Sequence, residues 1–351
     1  MRRLVAALAL LAATASPARA QLFEPIGLDH LNGKLCGRVV DYTSNHGADR
    51  RLVSNVLGGP RDLYVYLPPG YNPALSYPLI VLLHSADVDE HGLLDPVVLK
   101  QLDRMMDRGE LGPAIIAAPD GTYEGKNRLN ATHSFWINGL GGRFEDHLID
   151  EVVPFLVRTY PIRPEARAHA LLGISAGGYG AMAIALRHRD LFGVVATLAG
   201  PLNMLYNTCD DRYGDDFDPA TFRERNQYDP EMVIARYYHG FLTRRVKRYV
   251  GPVYGSGPDV LSRIAHDNPY DLINRTDLRP GQLEIYVNFP GRDNYNFDAQ
   301  ARSFAWLAAS RGIAVDLTEN PEAHHDLRYF RAAQIPAYRW LGTHLLPPAA
   351  R

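Results

Sequence analysis

The feature of this 351-residue chain that most constrains its fold is the pentapeptide Gly-Ile-Ser-Ala-Gly at residues 173–177. Residues 168–174 form a short, mostly apolar run that predicts a buried strand, and residues 181–188 predict a helix of small and apolar side chains. A serine at such a sharp turn is lifted clear of the sheet, and small residues two positions away on each side let strand and helix approach. The pattern therefore predicts a nucleophile at Ser175, with the amide of Ala176 directed at a developing oxyanion.

Predicted strands alternate with predicted helices along most of the chain. This alternation favours an α/β fold with a mostly parallel central sheet and helices on both faces. The predicted strands cover residues 35–42, 63–67, 78–84, 114–118, 168–174, 193–198, 283–288 and 313–317. The predicted helices cover residues 95–107, 144–160, 181–188, 297–311 and 326–345. Proline lacks an amide hydrogen, so interruptions are expected near Pro154 and Pro336.

One long stretch interrupts this alternation, at about residues 202–279, and it is rich in Tyr, Asp and Arg. It shows little regular patterning beyond a predicted helix near residues 231–249. No linker or internal repeat divides the chain, so residues 21–351 are expected to form a single domain with this one large insertion. The insertion would sit above the sheet, where it could shape a substrate pocket.

The first 20 residues predict a secretory signal peptide. Arg2 and Arg3 give it a basic start, residues 4–13 are apolar, and residues 18–20 (Ala-Arg-Ala) match a small-x-small cleavage site. The mature chain is therefore expected to begin at Gln21 and to be secreted or periplasmic. The apolar segment is too short to span a bilayer as a mature helix, and no other stretch is long and apolar enough.

Composition and cysteine content narrow the possible partners. A net charge of −2 and a hydrophobic fraction of 46% are ordinary for a globular protein and suggest neither a nucleic acid nor an anionic membrane as partner. Cys36 and Cys209 are the two cysteines, and neither belongs to a Cys/His cluster with ligand spacing, so no metal site is predicted. An oxidising compartment permits a disulfide between them, but their positions do not decide it. The oligomeric state is left open.

A serine nucleophile needs a base, and the base needs an orienting carboxylate. Functional groups in an open parallel sheet collect at the carboxyl ends of strands. Asp293 follows the predicted strand at residues 283–288, and His324 and His325 lie in the loop after residues 313–317. The chain order Ser175, Asp293 and then one of these histidines is the order of an α/β-hydrolase triad.

The second oxyanion donor is expected in the loop that follows an earlier strand. The predicted strand at residues 78–84 ends in His84, and Ser85, Ala86 and Asp87 follow it. We predict that the amide of Ala86 is this donor, with Ser85 as the alternative.

With these residues, the chain resembles the esterase family that includes S-formylglutathione hydrolase, the feruloyl and acetyl xylan esterases of carbohydrate esterase family 1, and the antigen 85 mycolyltransferases. The resemblance runs from about residue 61 to the C-terminus and leaves out most of the insertion. It rests on residues 67–71 (Leu-Pro-Pro-Gly-Tyr), His84, residues 119–121 (Pro-Asp-Gly), residues 145–146 (Glu-Asp), residues 173–181, residues 291–293 (Gly-Arg-Asp) and residues 325–326 (His-Asp).

The resemblance implies an α/β-hydrolase fold and acyl-ester chemistry without a cofactor, and it favours His325 over His324 as the base. Two positions depart from the family pattern. His84 is followed by Ser85 where the family usually has glycine, and His324 stands in place of the glycine that usually precedes the catalytic histidine.

The sequence therefore predicts an exported serine esterase in which Ser175 attacks the ester, His325 carries the proton and Asp293 orients His325. Transfer of the acyl group to an alcohol would use the same residues and is an alternative. A non-catalytic binding protein would normally lack a triad member, and none is missing here.

The tyrosines and arginines of the insertion favour short acyl or aromatic-acid esters of small or carbohydrate-linked alcohols, although the tyrosines could instead only pack the insertion against the domain.

Overall fold

The computed structural model describes residues 27–86, 88–125, 133–237 and 242–351. The predicted signal peptide and its cleavage site at residues 18–20 lie outside the described residues. In the part of the chain that is described, no helix is both long and apolar enough to cross a membrane. The side chains of Cys36 and Cys209 are exposed and are not joined to each other.

A twisted sheet of eight strands forms the centre of the described residues. The strands are Arg38–Tyr42 (β1), Leu63–Leu67 (β2), Leu79–Leu83 (β3), Ile115–Pro119 (β4), His169–Ile174 (β5), Val194–Leu198 (β6), Glu284–Pro290 (β7) and Asp316–Asn320 (β8). Their order across the sheet is β1-β2-β4-β3-β5-β6-β7-β8. Strand β2 is antiparallel to β1 and β4, whereas the neighbours from β4 to β8 are parallel. The predicted α/β class with a mostly parallel sheet is confirmed.

Four longer helices cover the two faces of this sheet. They are Pro96–Asp107 (α1), Ala176–Arg187 (α2), Phe297–Ser310 (α3) and Leu327–His344 (α4). Alternate residues of the central strands point to opposite faces, so Ile80 packs with α1 and α4 while Val81 packs with α2 and α3. Because both faces are covered, β3 and β6 are buried along their whole length, which explains their continuous apolar sequences.

Shorter elements connect these layers. The short helices are Leu28–Asn32, Phe144–Asp146, Val153–Thr159, Val246–Tyr249, Gly251–Tyr254, Val260–Asp267 and Pro269–Arg275, with 3₁₀ turns at Glu90–Leu94 and Ala166–Ala168 and a π-helical turn at His147–Val152. The short strand pairs are Leu52–Ser54 with Gly59–Arg61, Leu75–Ser76 with Ala349–Ala350, Asn138–Gly139 with Gly142–Arg143, Tyr206–Thr208 with Phe222–Glu224, and Val233–Tyr237 with Leu242–Arg245.

The prolines act differently in two helical segments. The predicted helix at residues 144–160 changes to π-helical geometry over His147–Val152, directly before Pro154, as expected from the missing amide hydrogen. The expected break at Pro336 is wrong, because α4 continues through it. Pro336 lies on the exposed side of α4, while Ile335 and Ala337 beside it are buried against the sheet. Packing on that side therefore holds the helix together across the missing hydrogen bond.

The predicted helix near residues 231–249 is also wrong. The chain forms a hairpin of Val233–Tyr237 and Leu242–Arg245, and only Val246–Tyr249 is helical. The β-branched Val233 and Ile234 favour extended backbone, and the amide of Val246 closes the hairpin by donating to the carbonyl of Met232 over 3.0 Å.

The connection between β6 and β7 packs against the end of the sheet that carries Ser175. An apolar cluster joins Leu205, Val246 and Val253 of this connection to Phe135 and to Ala176 at the start of α2. The phenol oxygens of Tyr179 on α2 and Tyr254 on the connection also lie 2.6 Å apart. These contacts place the connection directly over the strand-to-helix turn, and they fix the position of the pocket described next.

Candidate active site

The turn between β5 and α2 holds Ser175 in a strained conformation. Its φ is +52° and its ψ is −115°, a region that non-glycine residues avoid at a cost of about 1–3 kcal/mol. A Cβ atom on Gly173 would lie 2.1 Å from the carbonyl oxygen of Gly177, and one on Gly177 would lie 2.1 Å from that of Leu83. Both glycines are therefore required by close backbone approach, which is the physical basis of the pentapeptide.

Two hydrogen bonds connect Ser175 to residues that follow β7 and β8. Ser175 Oγ lies 3.0 Å from His325 Nε2, and His325 Nδ1 lies 2.9 Å from Asp293 Oδ2. The Asp293 side chain is fully buried, and its other carboxylate oxygen accepts a hydrogen bond from the amide of Tyr295 over 2.7 Å. The structure thus brings together the three side chains that the sequence singled out in widely separated segments.

The two adjacent histidines occupy different environments. His324 is exposed, and its Nδ1 lies 3.0 Å from the carbonyl oxygen of Arg292. The His325 ring is held edge-on against three aromatic rings, those of Tyr295, Phe297 and Phe330, with centroid distances of 4.9, 5.4 and 5.0 Å. The choice that the family resemblance favoured, His325, is the histidine that faces Ser175.

The loop after β3 presents a backbone amide beside Ser175. Ala86 and Ala176 line the same pocket as Ser175, and neither amide donates to another described residue. His84 Nε2 accepts a hydrogen bond from the amide of Gly121 over 2.8 Å, so its Nδ1 carries the proton and donates to the carbonyl of Ser85 over 2.8 Å. The N–H of Ala86 points opposite to that carbonyl across a trans peptide bond. His84 therefore fixes the direction of the Ala86 amide.

A pocket opens from Ser175 between the sheet and the connection that follows β6. Its walls are largely apolar and aromatic, and they include Phe135, Met204, Met232, Ile234, Tyr249 and Phe297. His133 also lines it, and burial lowers the pKa of this histidine to about 3, so the ring stays neutral. No described residue hydrogen-bonds to its Nε2, which can therefore accept or donate a hydrogen bond. Met204, Met232, Ile234 and Tyr249 of this lining come from residues 202–279, the stretch that interrupts the alternation of strands and helices.

Sequence reasoning missed several residues of this site. Tyr295 and Phe297 follow Asp293 at a spacing of two, an alternation of aromatic residues that could have indicated a wall beside the base. His84 was singled out only as the end of a strand and as a position of the family resemblance; its hydrogen bonds could not be predicted, because they involve the amide of Gly121, which is remote in sequence.

This arrangement defines an α/β-hydrolase with the site of a carboxylic ester hydrolase. The chain matches the model of the family described as "Putative esterase" over residues 54–341 and belongs to that family.

One curated relative matches part of this chain. The chain is 27% identical over 170 residues to an endo-1,4-beta-xylanase/feruloyl esterase of Xylanibacter ruminicola, a match that covers 44% of this chain and 22% of that relative. The match therefore spans about a fifth of the length of that curated protein.

Solved structures of low sequence identity share the fold. A ferulic acid esterase superposes with a TM-score of 0.65 at 17% identity, covering 89% of this chain and all of its own. An S-formylglutathione hydrolase from Agrobacterium tumefaciens superposes with a TM-score of 0.59 at 13% identity, covering 89% of this chain and 97% of that chain. A CE1 ferulic acid esterase from Anaeromyces mucronatus, solved in complex with ferulic acid, superposes with a TM-score of 0.53 at 17% identity. The superposition covers 88% of this chain and 90% of that chain.

Proposed function

We propose that this protein is an exported serine esterase that forms an acyl-enzyme on Ser175. The observation that carries the proposal is the chain of hydrogen bonds from Ser175 Oγ to His325 and from His325 to the buried Asp293 carboxylate. A serine hydroxyl becomes an effective nucleophile when a neutral imidazole accepts its proton and a carboxylate stabilises the imidazolium that results.

The reaction would proceed in two halves. Ser175 Oγ attacks the ester carbonyl while its proton passes to His325 Nε2, and the oxyanion is stabilised by the amides of Ala176 and Ala86. The tetrahedral intermediate collapses as His325 protonates the leaving alcohol. Water, activated by the same histidine, then cleaves the acyl-enzyme and restores Ser175.

We further propose that residues 21–351 form one domain with an insertion at about residues 202–279, and that residues 1–20 direct export. The basic start and the cleavage site at residues 18–20 support the second part. N-terminal sequencing of protein from its native host should start at Gln21, and a retained Met1 would contradict export.

Ester turnover tests the function directly. We expect hydrolysis of p-nitrophenyl acetate with a burst of about one p-nitrophenolate per active site if deacylation is slower than acylation. Because the rings of Phe135, Tyr249 and Phe297 line the pocket and offer flat faces to an aromatic acid or a sugar ring, we expect feruloyl and acetyl sugar esters to be cleaved with higher kcat/KM than esters of long-chain acids.

Three outcomes of that panel are informative. Absence of turnover on every ester would contradict the proposed function. An optimum at long acyl chains would contradict the substrate class alone. Formation of a new ester when an alcohol acceptor is added, at the expense of hydrolysis, would show that acyl transfer is the main reaction.

The oxyanion-hole assignment gives a separate prediction at His84. Replacing His84 by Phe removes the donor that fixes the Ser85 carbonyl, and we expect kcat to fall by about 10- to 100-fold with a smaller change in KM. Ser85→Ala is the matched control, because it keeps the backbone and should change kcat by less than about 3-fold. Equal effects of the two substitutions would contradict this role for His84.

A further inference from the structure

Arg225 is the permanently charged side chain of the substrate pocket. Among the described residues that line this pocket, it is the only lysine or arginine, and no aspartate or glutamate lines the pocket beside it. An arginine is protonated at any pH at which an esterase works. A positive charge in a mostly apolar pocket is costly unless an anion accompanies it, so its partners need to be identified.

The described residues provide no carboxylate partner for this guanidinium. Arg225 Nη2 donates one long hydrogen bond, of 3.4 Å, to the carbonyl of Tyr206, and its Cζ lies 5.4 Å from the centroid of the Tyr213 ring. No described aspartate or glutamate lies within 4.0 Å of it. Most of its donors therefore have no acceptor among the described residues.

Several other half-buried arginines among the described residues are paired with carboxylates. Arg187 contacts Glu145 at 2.7 Å, and Arg331 contacts Asp95 at 2.8 Å. Arg302 likewise contacts Asp298 at 2.9 Å and lies on α3, outside the pocket. Arg189 also has no described carboxylate within 4.0 Å, but it donates to the carbonyls of Leu186 and Thr276 over 2.5 and 2.8 Å. Arg225 differs from it, because Arg225 lines the pocket and makes only one long side-chain hydrogen bond to a described residue.

The surroundings of Arg225 hold it in place. The Tyr213 ring that it contacts is fixed by two hydrogen bonds of its hydroxyl group, to the carbonyl of Tyr295 and from Gln300 Nε2 at 3.0 Å. Burial lowers the pKa of the Arg225 guanidinium, while Tyr213 and the more distant Asp229 act in the opposite direction. A carboxylate that entered the pocket would find a desolvated, oriented fork of donors, which is the geometry of strong bidentate pairing.

We infer that Arg225 recognises a free carboxylate on the substrate, in addition to the ester group that is cleaved. This inference rests on the proposed esterase function and names the class of ester: one whose acyl part or alcohol part carries a second, anionic carboxyl group. Arg225 acts as a specificity-determining residue and takes no part in the proton transfers at Ser175.

Two pairs of esters test the inference. In the acyl arm, mono-p-nitrophenyl adipate is compared with its methyl ester; in the alcohol arm, 4-(acetoxymethyl)benzoate is compared with its methyl ester. In at least one arm, wild-type kcat/KM should be about 10-fold or more higher for the free acid, because the acid forms a charge-assisted pair with Arg225. Raising the NaCl concentration should reduce this ratio in the wild type, since salt screens the pair.

Substitution assigns the preference to one side chain. Arg225→Met should lower the acid-to-methyl-ester ratio of kcat/KM by about 10- to 100-fold, and Arg225→Lys should lower it less, because lysine keeps the charge but loses the planar fork. Arg223→Met is the matched control: Arg223 is paired with Asp211, does not line the pocket and should leave the ratio unchanged.

The outcomes separate this inference from the proposed function. If the wild type cleaves the neutral esters but shows no preference for the acid in either arm, or if Arg225→Met keeps the preference, recognition by Arg225 is contradicted and the esterase assignment stands. If no ester is cleaved, including p-nitrophenyl acetate, the proposed function itself fails. If Arg225→Met does not fold, the wild-type ratio, its salt dependence and Arg225→Lys still decide the matter.

Discussion

Replacement of Ser175 by alanine is expected to lower kcat for p-nitrophenyl acetate by about 10⁴-fold or more, because the acyl-enzyme can no longer form. The remaining rate reflects binding and oxyanion stabilisation, which the substitution leaves intact. The free energy of unfolding should change little, since alanine must adopt the same positive φ as serine at this turn. Steady-state kinetics and thermal unfolding on the same preparation measure both quantities.

The matched control for this substitution is Ser310→Ala, at the exposed end of α3. It removes a serine hydroxyl far from the β5–α2 turn and should leave kcat within about 2-fold of the wild type. Loss of less than about 10-fold in Ser175→Ala, with the fold intact, would contradict a nucleophilic role for Ser175.

The adjacent histidines provide the second large effect. His325→Ala removes the imidazole that lies 3.0 Å from Ser175 Oγ, and we expect kcat/KM to fall by about 10³- to 10⁴-fold. His324→Ala should stay within about 3-fold of the wild type, because His324 is exposed and the one hydrogen bond of its ring to a described residue goes to the carbonyl of Arg292.

The two variants differ by one position in the same loop, so each controls for disturbance of that loop. A larger loss in His324→Ala than in His325→Ala would reverse the assignment of the base. A double variant should be no slower than the sum of the two single free-energy effects predicts, since His324 takes no part in the reaction and independent effects add.

The central sheet and the positions of Ser175, Asp293 and His325 could be predicted because they follow from local sequence patterns. Buried parallel strands have continuous apolar sequences, and parallel strands bring their carboxyl ends to one edge of the sheet. The glycines of residues 173–177 mark a turn that leaves no space for a Cβ atom. Each of these signals is contained in a few neighbouring residues.

Other features depend on contacts between distant segments, and sequence alone could not supply them. Pro336 is tolerated inside α4 because the buried residues on either side of it pack against the sheet. Within the predicted helix at residues 231–249, Val233–Tyr237 instead pairs with Leu242–Arg245, and helical periodicity does not reveal this pairing. Likewise, Arg225 stands out among many arginines because folding places it in the pocket with no described carboxylate within 4.0 Å.

Covalent labelling of the enzyme tests the central claim most directly. A fluorophosphonate reacts with an activated serine, and the site of the adduct can be located by peptide mass spectrometry. The proposed function predicts one adduct on the wild-type protein, on the peptide that contains Ser175, and none on Ser175→Ala; His325→Ala should be labelled far more slowly because its serine is not activated. Labelling at a different serine, or undiminished labelling of Ser175→Ala, would contradict the account.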